Sequence, residues 1–313
     1  MKLPSSSIAT LLRLAALAVT AQIASAVPTT SYNTGTLGVA GDGASSAGVV
    51  VDQPGAVAAY IDYSSSYAAG ENTVVPFRPE INPAASSPFT IEFWARPTAT
   101  DNDDAPIGNR LGGGGNRSGW VFFQRATGWN FRMYNGAGTA LGWDLTGGTS
   151  TLNTWSHVVA VWNGSAATLY VNGTLASSTN AAGLNGVYNP NTTESFYVGA
   201  LIGGASPTTG ELDEVAFYPS ALTATQILNH YNTISSPIPG AYSSMVLADG
   251  AIEYLQQNPP TNKISRVGST ETVTFTGILS QSTDLVNWTD LVVTSPYTVP
   301  APQPDKLFFR SHR

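Results

Sequence analysis

The chain has 313 residues, 42% of them apolar, with 31 Gly, 20 Pro, no Cys and a formal net charge of −7. That length accommodates one large core and an appendage, and the acidic balance argues against nucleic acid or an anionic membrane surface as partner. Without Cys no disulfide contributes, so stability must come from packing, with or without a bound metal.

Residues 1–26 have the pattern of a secretory signal: Lys2 and Arg13, an apolar run from Leu14 to Ile23, then Ala24-Ser25-Ala26 as an A-x-A cleavage site. Its removal, taking two positive and no negative charges, would move the net charge from −7 to −9. No later stretch has the length of a membrane span, so a secreted or cell-surface (extracellular or periplasmic) location of a bacterial protein is expected.

From Val27 to Val51 the chain is rich in Gly, Ser and Thr, and Ala58 to Tyr63 is a candidate strand. Phe89 to Arg96 alternates, setting Phe89, Ile91, Phe93 and Ala95 on one face and Thr90, Glu92, Trp94 and Arg96 on the other. Trp94 thus sits on the more polar face, either as a groove aromatic or covered by a loop. Asp101 to Asp104 and Gly112 to Gly115 read as a long loop, without the Gly and bidentate Glu of a calcium hand or the Lys-Ser/Thr of a phosphate loop.

Trp120–Arg125 and Trp129–Tyr134 read as a hairpin, with a third strand over Thr139 to Leu145. Asn130, Arg132 and Tyr134 share one face of the second strand, opposite Trp129, Phe131 and Met133. An amide, a planar cation and an aromatic together suit a sugar, and equally the solvated face of a sandwich. Trp155 to Trp162 is apolar on both faces, and Ala167–Val171 turns at Asn172-Gly173 into Thr174–Ser177. Another strand is expected over Glu194 to Leu201.

Along Glu211 to Tyr218, strict alternation would put Glu211, Asp213, Val215 and Phe217 on one face and Leu212, Glu214, Ala216 and Tyr218 on the other. A helix follows, with Thr223 and Gln226 as a capping box and Ile227, Leu228 and Tyr231 as its apolar stripe. Ser235 to Gly240 is a linker, and Tyr242 to Leu255 reads as one more strand. Beyond Asn258-Pro-Pro260, strands over Thr272 to Gln281, Asn287 to Val293 and Lys306 to Arg310 suggest a small β module with Trp288, Leu285, Phe275 and Phe308 as its core.

The ordered motifs FTIEFWARP (89–97), NTWSHVVA (153–160), LYVNG (169–173), FYVG (196–199), GELDEV (210–215) and Ala221-Leu222 with its helix resemble the laminin-G-like domain of the concanavalin-A-like jelly rolls. The resemblance covers residues 35 to 232. It implies an all-β fold: a two-sheet antiparallel jelly-roll sandwich with one short helix near its C-terminal end, plus a small second β domain. The division is then 1–26 signal peptide, 27–234 laminin-G-like jelly roll, 235–257 linker with a possible extra strand, and 258–313 small C-terminal β module. Such domains commonly begin with an aromatic strand, not found before residue 30; Tyr242 to Leu255 would supply it or be the vestige of a further unit.

Jelly rolls of this class include endo-glucanases with carboxylates at E-x-D-x-E. Here Glu211 and Asp213 fill two positions and Val215 the third, so the acid/base is lost. His157, read as a satisfied sheet histidine, His230 and His312 are far apart in sequence and have no triad companions. The resemblance also implies a structural Ca²⁺ held by Asp213, with Asp62 second; the alternative is that Asp213 caps backbone N–H groups. The expected protein is thus a non-catalytic binder of a glycan or other extracellular-matrix ligand through Asn130, Arg132, Tyr134 and Trp94. The alternatives are a structural or adhesive surface protein and, behind it, a glycoside hydrolase.

Overall fold

The computed structural model describes residues 30–57, 63–100, 103–112, 115–236, 241–256, 262–267, 270–275, 278–284, 286–287, 289–293, 296–300 and 307–312. The expected signal segment and Asp62 lie outside the described residues.

Sixteen strands form one antiparallel network that folds into two sheets, fourteen along one continuous path and β3 and β4 joined to it at β15: β1 Thr30–Asn33, β2 Gly43–Ser45, β3 Val50–Pro54, β4 Tyr63–Tyr67, β5 Thr73–Val75, β6 Phe89–Pro97, β7 Ile107–Gly108, β8 Trp120–Arg125, β9 Gly128–Tyr134, β10 Leu141–Gly147, β11 Ser156–Trp162, β12 Ala167–Val171, β13 Thr174–Ser177, β14 Phe196–Val198, β15 Gly210–Tyr218 and β16 Glu253–Gln256. The first sheet runs β10-β9-β8-β7-β14-β5-β2-β1, and the second β1-β16-β15-β6-β11-β12-β13. Strand β1 turns the corner between them. Its Thr30 and Ser31 pair with β2 and its Tyr32 and Asn33 with β16.

Between the sheets lies the main core. Phe89, Ile91 and Phe93 of β6 and Val158, Ala160 and Trp162 of β11 meet Trp120, Phe122, Trp129, Phe131 and Met133 from β8 and β9. The rings pack edge to face, Phe93 against Phe122 at 5.0 Å and against Trp129 at 5.9 Å between centroids. The alternation read along Phe89 to Arg96 therefore holds, and burying aromatics from both sheets is what commits a Cys-free chain to a sandwich. The turn after β12 also forms as its residues require, with Asn172 and Gly173 both at positive φ, 52° and 71°.

Strand β15 departs from strict alternation. Glu214 sits at φ 53° in a bulge between the pairs Asp213↔Trp94 and Ala216↔Glu92. The extra residue reverses the sides, so Leu212 joins Val215 and Phe217 in the main core, while Asp213 falls on the outer face with Ala216 and Tyr218. The same interruption lets one edge of β15 serve two partners, β4 along Gly210–Leu212 and β16 along Val215–Phe217.

The outer face of the second sheet is roofed by α1, Ala224–Asn232, and α2, Ala241–Ala248. Helix α1 starts on the expected reciprocal box between Thr223 and Gln226. Its buried residues are Ile227 and His230, however, while Leu228 is 43% exposed. Residues 241–256, expected as part of a linker with one strand, hold a helix and then β16, which inserts between β1 and β15.

The C-terminal strands β17 Asn262–Val267, β18 Thr270–Phe275, β19 Ile278–Ser282, β20 Thr289–Asp290, β21 Tyr297–Thr298 and β22 Phe308–His312 make two three-stranded antiparallel sheets. Their apolar cluster centres on Val273, Leu279 and Val299, with Phe309 packed against it. Trp288 and Leu285, named above for that core, and the side chain of Phe275, lie outside the described residues.

Candidate functional site

Two polar constellations stand out, one on the outer face of each sheet. On the first sheet, β8 points Val121, Phe123 and Arg125 outward and β9 points Asn130, Arg132 and Tyr134 the same way, as period-two alternation requires. The three sequence-picked residues do share a face. Their roles differ from expectation.

Asn130 is buried, and its Nδ2 donates to Asp144 Oδ1, the Leu145 carbonyl and Thr146 Oγ1 at 2.5–2.8 Å. With its donors spent on β10, it is a strut rather than a ligand donor. Arg132 pairs with Asp144 at 3.3 Å. Tyr134 is only 2% exposed because Arg110 and Arg117 lie over its ring at 5.9 and 5.7 Å from the centroid. Phe123 is covered in the same way by Arg125 and Arg132, each at 5.4 Å. The surface here is a layer of four guanidiniums stacked on two hidden rings. Arg110, Arg117, Arg125 and Phe123 were not singled out from the sequence, since two of the arginines come from a loop whose path only the fold fixes.

Trp94 is not at the surface. Its indole lies inside the second constellation, packed against His157 at 4.8 Å and Tyr231 of α1 at 5.9 Å, with Tyr242 of α2 edge-on. A groove aromatic is therefore ruled out at this position, because both helices of the roof cover that face.

At the centre of this second constellation is Glu92, fully buried. Its carboxylate receives Nε2–H of His157 at 2.7 Å, Nδ1–H of His230 at 2.9 Å, and the hydroxyls of Tyr218 and Tyr242 at 2.7 and 2.5 Å. The other ring nitrogen of His230 meets Asp249 Oδ2 at 2.9 Å. A histidine with a carboxylate at each nitrogen donates twice and is the imidazolium. Burial alone would push the Glu92 carboxyl up, but the His230 charge and the hydrogen bonds from His157 and His230 outweigh it and hold the group well below the usual carboxylate range. Burial opposes the His230 charge too, yet Glu92 and Asp249 overcome it and raise its pKa above the ordinary value. The phenols of Tyr218 and Tyr242 are pushed well up, first by burial and then by Glu92. Glu92, His157 and His230 are all 0% exposed. The cluster is a buried clasp joining β6, β11, β15, α1 and α2. His157 is a sheet histidine, as read, but only half satisfied: Nε2 bonds Glu92 while the buried Nδ1 has no hydrogen-bond partner among the described residues.

The carboxylates of β15 are also engaged. Glu211 pairs with Arg96 at 2.7 Å, Glu214 accepts from Tyr254, and Asp213 Oδ2 accepts the Ala56 N–H at 2.8 Å. Asp213 thus performs the capping role, at the break where β15 passes from β4 to β16. Among the described residues, no group of three or more His, Cys, Asp and Glu stands together as a metal site.

An antiparallel two-sheet sandwich with a late helix on its back defines a jelly-roll binding or hydrolytic fold. The family model of the concanavalin A-like lectin/glucanases superfamily matches residues 69–228, more than half of the chain, and the chain belongs to that family. No curated protein matches it. Among solved structures, it resembles the binding domain of Paraclostridial Mosquitocidal Protein 1 at 14% identity and a TM-score of 0.46, over 88% of this chain and 72% of that one. A putative carbohydrate binding protein from Bacteroides ovatus aligns at 15% identity and a TM-score of 0.43, over 80% and 60%. Trypanosoma rangeli sialidase aligns at 16% and 0.41, over 56% of this chain and only 28% of its own.

Proposed function

We propose that this chain is an exported, non-catalytic binding protein that holds a glycan on the outer face of its first sheet. The observation that carries this reading is the layer of Arg110, Arg117, Arg125 and Arg132 over Tyr134 and Phe123, a rigid polar surface on a fold whose family includes lectins. Against hydrolysis stands the position of the carboxylates. Glu92, Asp213 and Glu214 are buried and bonded, Glu211 is held by Arg96, and Val215, at the third place of the glucanase pattern, faces the main core. Retaining hydrolysis needs two carboxyls about 5 Å apart and open to a sugar.

The test is a panel of polysaccharides examined by affinity electrophoresis and by reducing-sugar release. Retardation by at least one polysaccharide without release of sugar is expected; release of reducing ends would overturn the non-catalytic reading. Export is checked separately, by N-terminal sequencing of secreted protein, which should begin at Val27.

A structural Ca²⁺ held by Asp213 belongs to the same proposal as an independent point, and it would share the carboxylate with the Ala56 N–H that Asp213 caps. Calcium should then raise the unfolding temperature relative to EDTA, and Asp213→Asn should abolish that difference; identical melting with and without calcium removes the metal.

A further inference from the structure

The face proposed above as the glycan site has a definite charge character. Between residues 105 and 143 the sequence contains four arginines and no Asp or Glu, in a chain whose net charge is −7. All four converge on the same sheet face. Asp144 offsets Arg132, and Asp103, whose side chain is 71% exposed, offsets Arg125. Arg110 and Arg117 form no ion pair among the described residues, although they flank one ring.

Both arginines are anchored through their backbones. The neighbours of Arg110 extend the β7–β8 ladder, Asn109 N–H to the Trp120 carbonyl and Leu111 N–H to that of Ser118. Arg117 donates its N–H to Gly138 and its carbonyl accepts from Gly136, which ties it to the β9–β10 turn. Asn109 Oδ1 also accepts the Trp120 N–H, while its Nδ2 donates to Asn82, fixing the base of the loop. The backbone that carries the two arginines is thus fixed ahead of any ligand, and the Tyr134 ring seats their guanidiniums, which lowers the ordering cost of binding.

What this arrangement can recognise follows from what it hides. A neutral sugar is usually held by its C–H face on an exposed ring and by amides bridging its hydroxyls. Here the ring of Tyr134 is capped and the Nδ2 of Asn130 is spent on β10. The groups that remain are the edges of stacked guanidiniums, whose paired N–H donors match the two oxygens of a carboxylate or sulfate.

We propose that Arg110 and Arg117, bracketing Tyr134, form a receptor for the anionic group of an acidic polysaccharide, so that the ligand of this face is charged rather than neutral. This rests on the glycan-binding reading. The full chain would be titrated with polygalacturonate, which carries carboxylates, heparin, which carries sulfates, and dextran, which is neutral, at low and at high NaCl. Single-stranded DNA serves as a polyanion that is not a glycan.

Binding of polygalacturonate, heparin or both, weakened by salt and absent for dextran and DNA, is expected, and the pattern assigns carboxylate or sulfate. Arg110→Ala/Arg117→Ala should weaken it at least about tenfold, and the double Lys variant should restore only part, since an ammonium lacks the fork. Arg78→Ala, which removes one positive charge away from this face, should leave binding unaltered. Near-ultraviolet circular dichroism establishes that the variants are folded, and the Lys variant stands in if the Ala variant is not. Dextran binding that ignores these substitutions would overturn the anionic assignment and leave the glycan-binding reading standing. Equal binding of DNA, or acidic-glycan binding indifferent to both double variants, would likewise sink it, and binding to no polysaccharide would sink both.

Discussion

Glu92 is one side chain with five elements depending on it. Its four neutral or cationic donors make the buried charge tolerable, and removing either side of such an arrangement leaves the other unmatched. Glu92→Gln is therefore expected to cost about 3–5 kcal/mol, read from urea denaturation. Tyr242→Phe, which deletes one donor to a charged acceptor, should cost about 1.5–3 kcal/mol in the same assay.

The pH dependence follows from the two shifts with opposite sign. The Glu92 pKa is depressed on folding, so its contribution is present above the ordinary carboxylate range and lost as pH falls through it toward the folded value. The His230 pKa is raised, so its contribution is full below the ordinary histidine value of 6.5 and lost as pH rises through the folded value. Stability should peak between these limbs, in weakly acidic solution. In Glu92→Gln the acid limb should flatten, and in His230→Gln the alkaline limb; an unchanged profile in both would remove the clasp as their origin.

At the scale of elements, β15 shows how one residue redirects a strand. The bulge at Glu214 puts Asp213 outside and Leu212 inside and opens the gap that β16 fills. Helix α1 illustrates the opposite case, a local device that forms as written. Thr223→Ala removes a cap bonded to the Gln226 N–H and should cost about 1 kcal/mol by chemical denaturation without changing the fold.

For the whole molecule, the family match and the folding unit have different limits. Residues 69–228 leave out β1 to β4 and β16, so the edge of β15 that pairs with β4 and β16 would be laid open and the corner made by β1 would be lost. A fragment spanning 69–228 should fail to unfold cooperatively, whereas one spanning 30–256 should melt as a single transition in scanning calorimetry. Cooperative melting of the shorter fragment would show that the added strands are dispensable.

Local patterning by itself determined the alternation of β6, the β8–β9 hairpin, the Asn172-Gly173 turn and the Thr223 cap. Each of these is set by residues within a few positions of one another, where period, turn chemistry and capping act. Tertiary structure alone decided the rest: that Trp94 is roofed over, that Asn130 is a strut, that 241–256 returns to the sandwich, and that His157 and His230 meet on Glu92. The Glu92 pairings alone join residues 65 to 150 positions apart, and no periodicity reaches that far. Only the packing of helices on the sheet, driven by burial of the apolar face they share, brings such groups to one point.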